Sequence, residues 1–378
     1  MGKFDELLPE HIRRLPGYAP GKPLKLAERE SGVPCIKLAS NENPLGPSPL
    51  AVAAIHAAAP FVHLYPDVDA SELRDMIASR HRISKESTLV TGGTTPLLDI
   101  IARCLLAPGL NAVTSHQSFL VYAIATQASG STLRQVATRK YGYDLDGIRE
   151  AIDERTRIVF IANPNNPTGS MLEPKSIEQF LDRLPAHVVV VLDEAYHEFA
   201  QFFAELRGVE YSRSLDYVRD GRNVVVLRTF SKAQGLAGLR LGYGFGPPEL
   251  VSVFARMRNT FSISALAEAA GIAALEDAKH IVRTLENNAK GVACLTKGLE
   301  GMGLRVAPTW ANFLFVEIGE HAARVVARMQ EMGVIVRPLG GAWGAPHAIR
   351  ISIGTPEQNR RCLEVLKHAL EPAGALQG

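Results

Sequence analysis

The chain has 378 residues, more than one core comfortably organises, since single hydrophobic cores stop growing at about 250–300 residues. Its 46% hydrophobic and 21% charged residues exclude a disordered or fibrous chain. With 41 basic against 39 acidic residues and a net charge of +2, there is no electrostatic case for nucleic acid or an anionic membrane as partner.

In chain order, residues 1–45 come first, with the Pro- and Gly-rich run Pro16-Gly17-Tyr18-Ala19-Pro20-Gly21. They read as an arm with little core of its own that joins the smaller domain. The start lacks an apolar signal core, and Glu6 stands where a myristoylation motif needs Ser or Thr. No window approaches the ~18–20 uncharged apolar residues of a membrane helix, so the cytoplasm is the expected compartment.

Strands are predicted at 88–91, 112–115, 132–136, 158–162, 188–193, 224–228 and 241–245. Helical patterns lie between them, including 96–106, 121–128, 145–152 and 175–184. This alternation predicts an α/β fold, a mostly parallel seven-stranded sheet sandwiched by helices, within a large domain over 46–260. Gly246-Pro247-Pro248 marks a break after the last of these strands. Long helices follow at 250–274 and 281–301, then strands at 312–316, 334–337 and 349–353, with helices at 322–332 and 356–370. That is an α+β pattern and predicts a smaller C-terminal domain over 261–378. Cys35, Cys104, Cys294 and Cys362 are far apart and form no C-x-x-C pair. Neither a metal site nor a disulfide framework is suggested.

The chemistry sits at predicted strand ends, where open α/β sheets bind ligands. Lys232 closes the run Arg228-Thr229-Phe230-Ser231-Lys232, and Arg240 follows eight residues later. A lysine in a partly desolvated pocket loses basicity and becomes a carbonyl-capturing nucleophile. The loop Asn163-Pro164-Asn165-Asn166-Pro167-Thr168-Gly169 follows the strand at 158–162, and Asn166-Pro167 is a candidate cis bond. Asp193 ends the apolar run Val188-Val189-Val190-Val191-Leu192. Alone it also reads as a helix N-cap at the strand exit, but a carboxylate in that place calls for a cationic partner. Together Asn166, Asp193, Tyr196, Lys232 and Arg240 describe a pyridoxal 5'-phosphate pocket. Asp193 faces the ring nitrogen, Asn166 and Tyr196 the ring hydroxyl, Lys232 the aldehyde, and Ser231 and Arg240 the phosphate.

These residues carry a resemblance. The chain resembles the fold-type I, aspartate-aminotransferase-like enzymes, and within them the histidinol-phosphate aminotransferase family, over roughly residues 7–370. The matching segments are Ser40-Asn41-Glu42-Asn43-Pro44-Leu45-Gly46-Pro47-Ser48-Pro49, Tyr65-Pro66-Asp67, the loop from Asn163 to Gly169, the segment from Leu192 to Tyr196 and that from Thr229 to Tyr243. Ile335-Val336-Arg337-Pro338 and Ile349-Arg350-Ile351-Ser352-Ile353-Gly354-Thr355 match as well.

The resemblance implies a transaminase in which Lys232 is the general base and acid, served by Asp193 and Tyr196. It implies that Gly93, Thr94, Ser231 and Arg240 hold the cofactor phosphate, that Thr229 also contacts the cofactor and that Phe119 stacks on its ring. Tyr65 would reach across a homodimer interface to the partner's cofactor. Tyr18, Asn43, Arg337 and Arg350 would contact substrate, the two arginines converging on a phosphate dianion. The implied substrates are L-histidinol phosphate and 2-oxoglutarate. Transamination of aromatic amino acids, or decarboxylation on the same pocket, are the alternatives. One departure stands out: the phosphate loop reads Thr91-Gly92-Gly93-Thr94-Thr95-Pro96 where the family commonly shows a Gly-Ser-Asp/Ser-Glu pattern.

Overall fold

A computed structural model of the chain describes residues 4–15, 17 and 23–371. Twelve strands form two sheets among these residues. In chain order they are β1 (Ile36–Leu38), β2 (Thr88–Thr91), β3 (Asn111–Ser115), β4 (Thr132–Val136), β5 (Thr156–Ala162) and β6 (Val189–Asp193). Then come β7 (Val224–Thr229), β8 (Gly242–Phe245), β9 (Arg305–Val306), β10 (Phe313–Glu317), β11 (Val334–Pro338) and β12 (Ala348–Ser352).

The larger sheet has the order β2-β8-β7-β6-β5-β3-β4 and is parallel except for β8, which runs antiparallel to both its neighbours. Its central strands are apolar throughout because both faces are covered. Val190 and Leu192 of β6 point into one core with Val224 and Val226 of β7, whereas Val189 and Val191 point into the other with Val225 and Leu227. This is strand alternation with two buried sides. Each such side chain contributes about 1.5–3 kcal/mol by leaving water.

The smaller sheet has the order β1-β11-β12-β10-β9. β1, from the N-terminal segment, pairs parallel to β11, so that segment is tied to the C-terminal part of the chain. Helices Ala278–Gly301, Ala322–Glu331 and Pro356–Leu370 cover this sheet. The last opens with a capping box between Thr355 and Gln358 and has Pro356 at its first position.

The single helix predicted at 250–274 is corrected to two, Pro248–Met257 and Ala265–Glu276. Arg258 leaves the helical path to pair with Asp69 and to donate to the Val90 carbonyl at 2.9 Å. Phe261 then takes a left-handed φ of 55°, and Ser264 restarts the helix as its N-cap. The second helix packs in the large core through Ala267, Ala270 and Ala274. No helix of the described residues is long and apolar enough to cross a membrane.

Candidate active site

The large sheet delivers its polar residues to one edge. Asp193 ends β6 opposite Ala162 of β5 on one side and Leu227 of β7 on the other. Lys232 lies three residues beyond the end of β7. Around these strand ends a cavity of about 270 Å³ is lined by Asn166, Asp193, Tyr196, Thr229, Ser231, Lys232 and Arg240. Thr94, at the start of the helix after β2, and Phe119, in the loop after β3, also line it, with Arg337 and Arg350 from β11 and β12. Eleven of the residues singled out in the sequence therefore meet in one place.

Lys232 Nζ donates to the Ser40 carbonyl at 3.1 Å and lies 5.9 Å from the Tyr196 ring centre. Burial, reinforced by Arg350, pushes its pKa down to about 8. Burial pushes Asp193 the other way, to about 6, against the pull of its donors, the Tyr122 hydroxyl at 2.9 Å and the Ala195 N–H at 3.2 Å. The Tyr196 hydroxyl accepts from Asn41 Nδ2 at 2.9 Å. The carboxamide oxygen of Asn166 accepts from Arg350, which also donates to the Ala39 carbonyl at 2.8 Å. Arg337 and Arg350 are cross-strand neighbours, and their guanidinium carbons lie 5.7 and 5.6 Å from the Trp343 ring centre. Ser231 Oγ accepts from Arg240 at 3.4 Å, and the Ser231 N–H donates to Thr229 Oγ1 at 3.1 Å.

Three expected residues lie elsewhere, and a fourth is not among the described residues. Gly93 is outside the cavity wall, and its N–H donates to the Thr91 carbonyl at 2.7 Å. A Cβ there would stand 2.8 Å from Arg240 Nη2, and φ is +110°, so this glycine gives Arg240 its room. Asn43 is a strut, not a cavity residue: its amide donates to the Ala233 carbonyl and Thr284 Oγ1, and its oxygen accepts from the Leu45 N–H. Tyr65 is 83% exposed and stacks on Phe261 at 4.6 Å, outside the cavity of its own chain. Tyr18 lies outside the described residues.

Sequence reasoning missed Trp343, Thr95 and the backbone of Ala39 and Ser40 as cavity lining. It also missed Tyr122, which bonds Asp193 from the helix Val121–Ala128. Both peptide bonds Asn163-Pro164 and Asn166-Pro167 are cis, where only the second was anticipated.

Known proteins are similar along the whole chain. The model of the family "Aminotransferase class I and II" matches residues 33–366. A histidinol-phosphate aminotransferase 2 of Pseudomonas fluorescens is 42% identical over 375 residues, covering 98% of this chain and 100% of the relative. The histidinol-phosphate aminotransferase of Akkermansia muciniphila is 44% identical, covering 96% and 98%. Among solved structures, the histidinol-phosphate aminotransferase of Sinorhizobium meliloti, in complex with pyridoxal-5'-phosphate, superposes with a TM-score of 0.88 at 28% identity, covering 96% of this chain and 97% of that one. The aspartate aminotransferase of Thermus thermophilus with maleate shares the fold, with a TM-score of 0.82 at 23% identity over 96% and 99%. The chain belongs to the class I and II aminotransferases, in the histidinol-phosphate aminotransferase family.

Proposed function

We propose that the chain transfers the amino group of L-histidinol phosphate to 2-oxoglutarate, using pyridoxal 5'-phosphate held in the cavity around Lys232 and Asp193. The carrying observation is the cross-strand pair Arg337 and Arg350, lining the same cavity as that amine and that acid. Two planar cations side by side suit a phosphate dianion better than a single carboxylate.

The cavity fits the cofactor by the chemistry of its donors. Asp193 is 4% exposed and makes no ion pair among the described residues, so it can receive a protonated ring nitrogen. Arg240, Ser231, Thr229 and Thr94 would hold the phosphate, with Gly93 making space. Thr94 opens the helix Thr94–Leu105, whose N-terminal amides favour an anion. Phe119 would cover the ring, and the Asn166 amide and Tyr196 hydroxyl would meet its oxygen. When bound, pyridoxal phosphate supplies an aldehyde for amine capture and a ring that withdraws electrons from the substrate's Cα.

The chain's own residues do the rest. Lys232 Nζ, whose pKa is lowered to about 8, holds a useful fraction of free amine near neutrality. With the cofactor bound, Lys232 Nζ would take the donor's Cα proton and return it to the carbon that carried the cofactor's aldehyde, one amine serving as base and then as acid. Arg350, fixed by Ala39 and Asn166, orients the donor's acidic end, with Arg337 beside it.

The division into an arm at 1–45, a large domain at 46–260 and a small domain at 261–378 belongs to this reading, supported by the two sheets. So does a homodimer placing Tyr65 at the partner's cofactor: Phe61, Val62, Leu64 and Tyr65 form an exposed apolar run unusual for a monomer surface. The deciding experiment is a donor panel with 2-oxoglutarate, read by glutamate release. Histidinol phosphate should exceed histidinol and aromatic amino acids in kcat/KM. Preference for an aromatic amino acid, or carbon dioxide release in place of glutamate, would overturn the reading.

A further inference from the structure

The helix Val121–Ala128 contributes one side chain that reaches the acid from outside the cavity. Tyr122 is fully buried and does not line the cavity. Its ring lies flat on Phe160, with centroids 4.8 Å apart and planes 4° from parallel, and meets the Phe119 ring edge-on at 5.7 Å. Phe160 sits on β5, the strand beside β6, so the tyrosine is braced against the sheet that carries Asp193. Its hydroxyl donates to Asp193 Oδ2 at 2.9 Å, while Oδ1 accepts from the Ala195 N–H. A carboxylate offers about four acceptor positions. These two donors leave the remainder for a group entering the cavity, and they fix the plane of the carboxylate.

We propose that Tyr122 is the positioning residue for Asp193, holding the carboxylate ionised and oriented toward the cavity so that it captures the cofactor's ring nitrogen. The inference rests on the assignment of Asp193 made above. The titratable and charged groups that act on Asp193 are Tyr122 from its helix, Tyr143 and Tyr211, Glu194 beside it on the chain, and Lys232 beyond β7, while Tyr196 acts on Tyr122. Of these, Glu194 favours the protonated acid, whereas Lys232 and the Tyr122 hydroxyl favour the carboxylate. Losing the hydroxyl therefore raises the proton affinity of Asp193 and would weaken its hold on a protonated ring nitrogen.

The test measures pyridoxal phosphate affinity of the apoenzyme against pH. Affinity should fall in two limbs toward acid, through about pH 8 as Lys232 is protonated and through about pH 6 as Asp193 takes up a proton, and the second is the acid limb read here. Tyr122→Phe preserves shape and should weaken binding about ten- to hundredfold at neutral pH, the weight of one bond to a charged group, and move the acid limb to higher pH. A difluorotyrosine at 122, a stronger donor of the same shape, should move that limb to lower pH. This second variant keeps the proposal testable if Tyr122→Phe folds poorly. On an Asp193→Asn background both substitutions should be silent. An unmoved acid limb, or an undiminished effect on that background, would overturn the role of Tyr122. If Asp193→Asn alone leaves affinity unchanged, the assignment of Asp193 fails instead.

Discussion

Lys232 shows how one side chain takes its chemistry from its place. Nothing in its own residue type lowers a lysine's basicity; burial beside Arg350 does. Lys232→Ala should abolish the visible absorbance of the purified protein and cut turnover by orders of magnitude, and a persisting band would refute it as the anchor. The lowered amine deprotonates earlier as pH rises, so cofactor capture by the apoenzyme should climb through about pH 8 and then level off. A rate still climbing tenfold per unit at pH 10 would contradict the burial argument. Gly93→Ala should push on Arg240 and weaken cofactor binding about tenfold by spoiling one charge-assisted contact. Equilibrium dialysis reads this directly, and unchanged affinity would show that Arg240 simply moves aside. Asp193 and Lys232 were legible because each is a charged residue at or just beyond the end of an apolar strand, and Arg240 by its spacing of eight residues from Lys232. Tyr122 was not, because a tyrosine in an apolar helix reads as core, and its partner is 71 residues away.

The elements place these residues through strand register. Beneath the cavity, β6 and β7 are joined by a pair buried on both sides: Arg228, on β7, donates to Glu194, just past β6, at 2.7 and 3.0 Å. Glu194 also accepts from Ser212 Oγ at 2.5 Å. Arg228→Met should leave that carboxylate in the interior without its counter-charge, at a cost of about 3–5 kcal/mol. Urea unfolding of the apoenzyme measures this, and a loss under about 1 kcal/mol would mean that water or Ser212 satisfies the acid. Ten of the strands were readable, most of them from continuous apolar runs, and most of their bounds moved by only a residue or two, whereas the short strands β1 and β9 were not anticipated. The helix break at 258–264 was overlooked because Arg258 departs for Asp69, a partner that local sequence does not reveal.

At the scale of the whole molecule, Tyr65 lies outside its own cavity, within the exposed apolar run. In the proposed dimer that run is covered and Tyr65 serves the other subunit. Light scattering should therefore report twice the chain mass, and Tyr65→Phe should loosen cofactor retention without lowering the apoenzyme's melting temperature. A monomer at micromolar concentration with full cofactor affinity would remove the basis for that reading. The small sheet contributes its two arginines because β1, drawn from the N-terminal segment, seals the β11 edge while β11 and β12 pair.

By itself the sequence determined the α/β class, the order along the chain of the seven strands of the large sheet and which acid, amine and arginine to look for at their ends. These follow from local periodicity and from charged residues interrupting apolar runs, properties that need no distant partner. Tertiary structure decided which neighbours those groups meet: Tyr122 on Asp193, Trp343 within reach of both arginines, and Asn43 turned into a strut. Such pairings depend on contacts between residues far apart in the chain, which become neighbours only once the two sheets and their helices have packed.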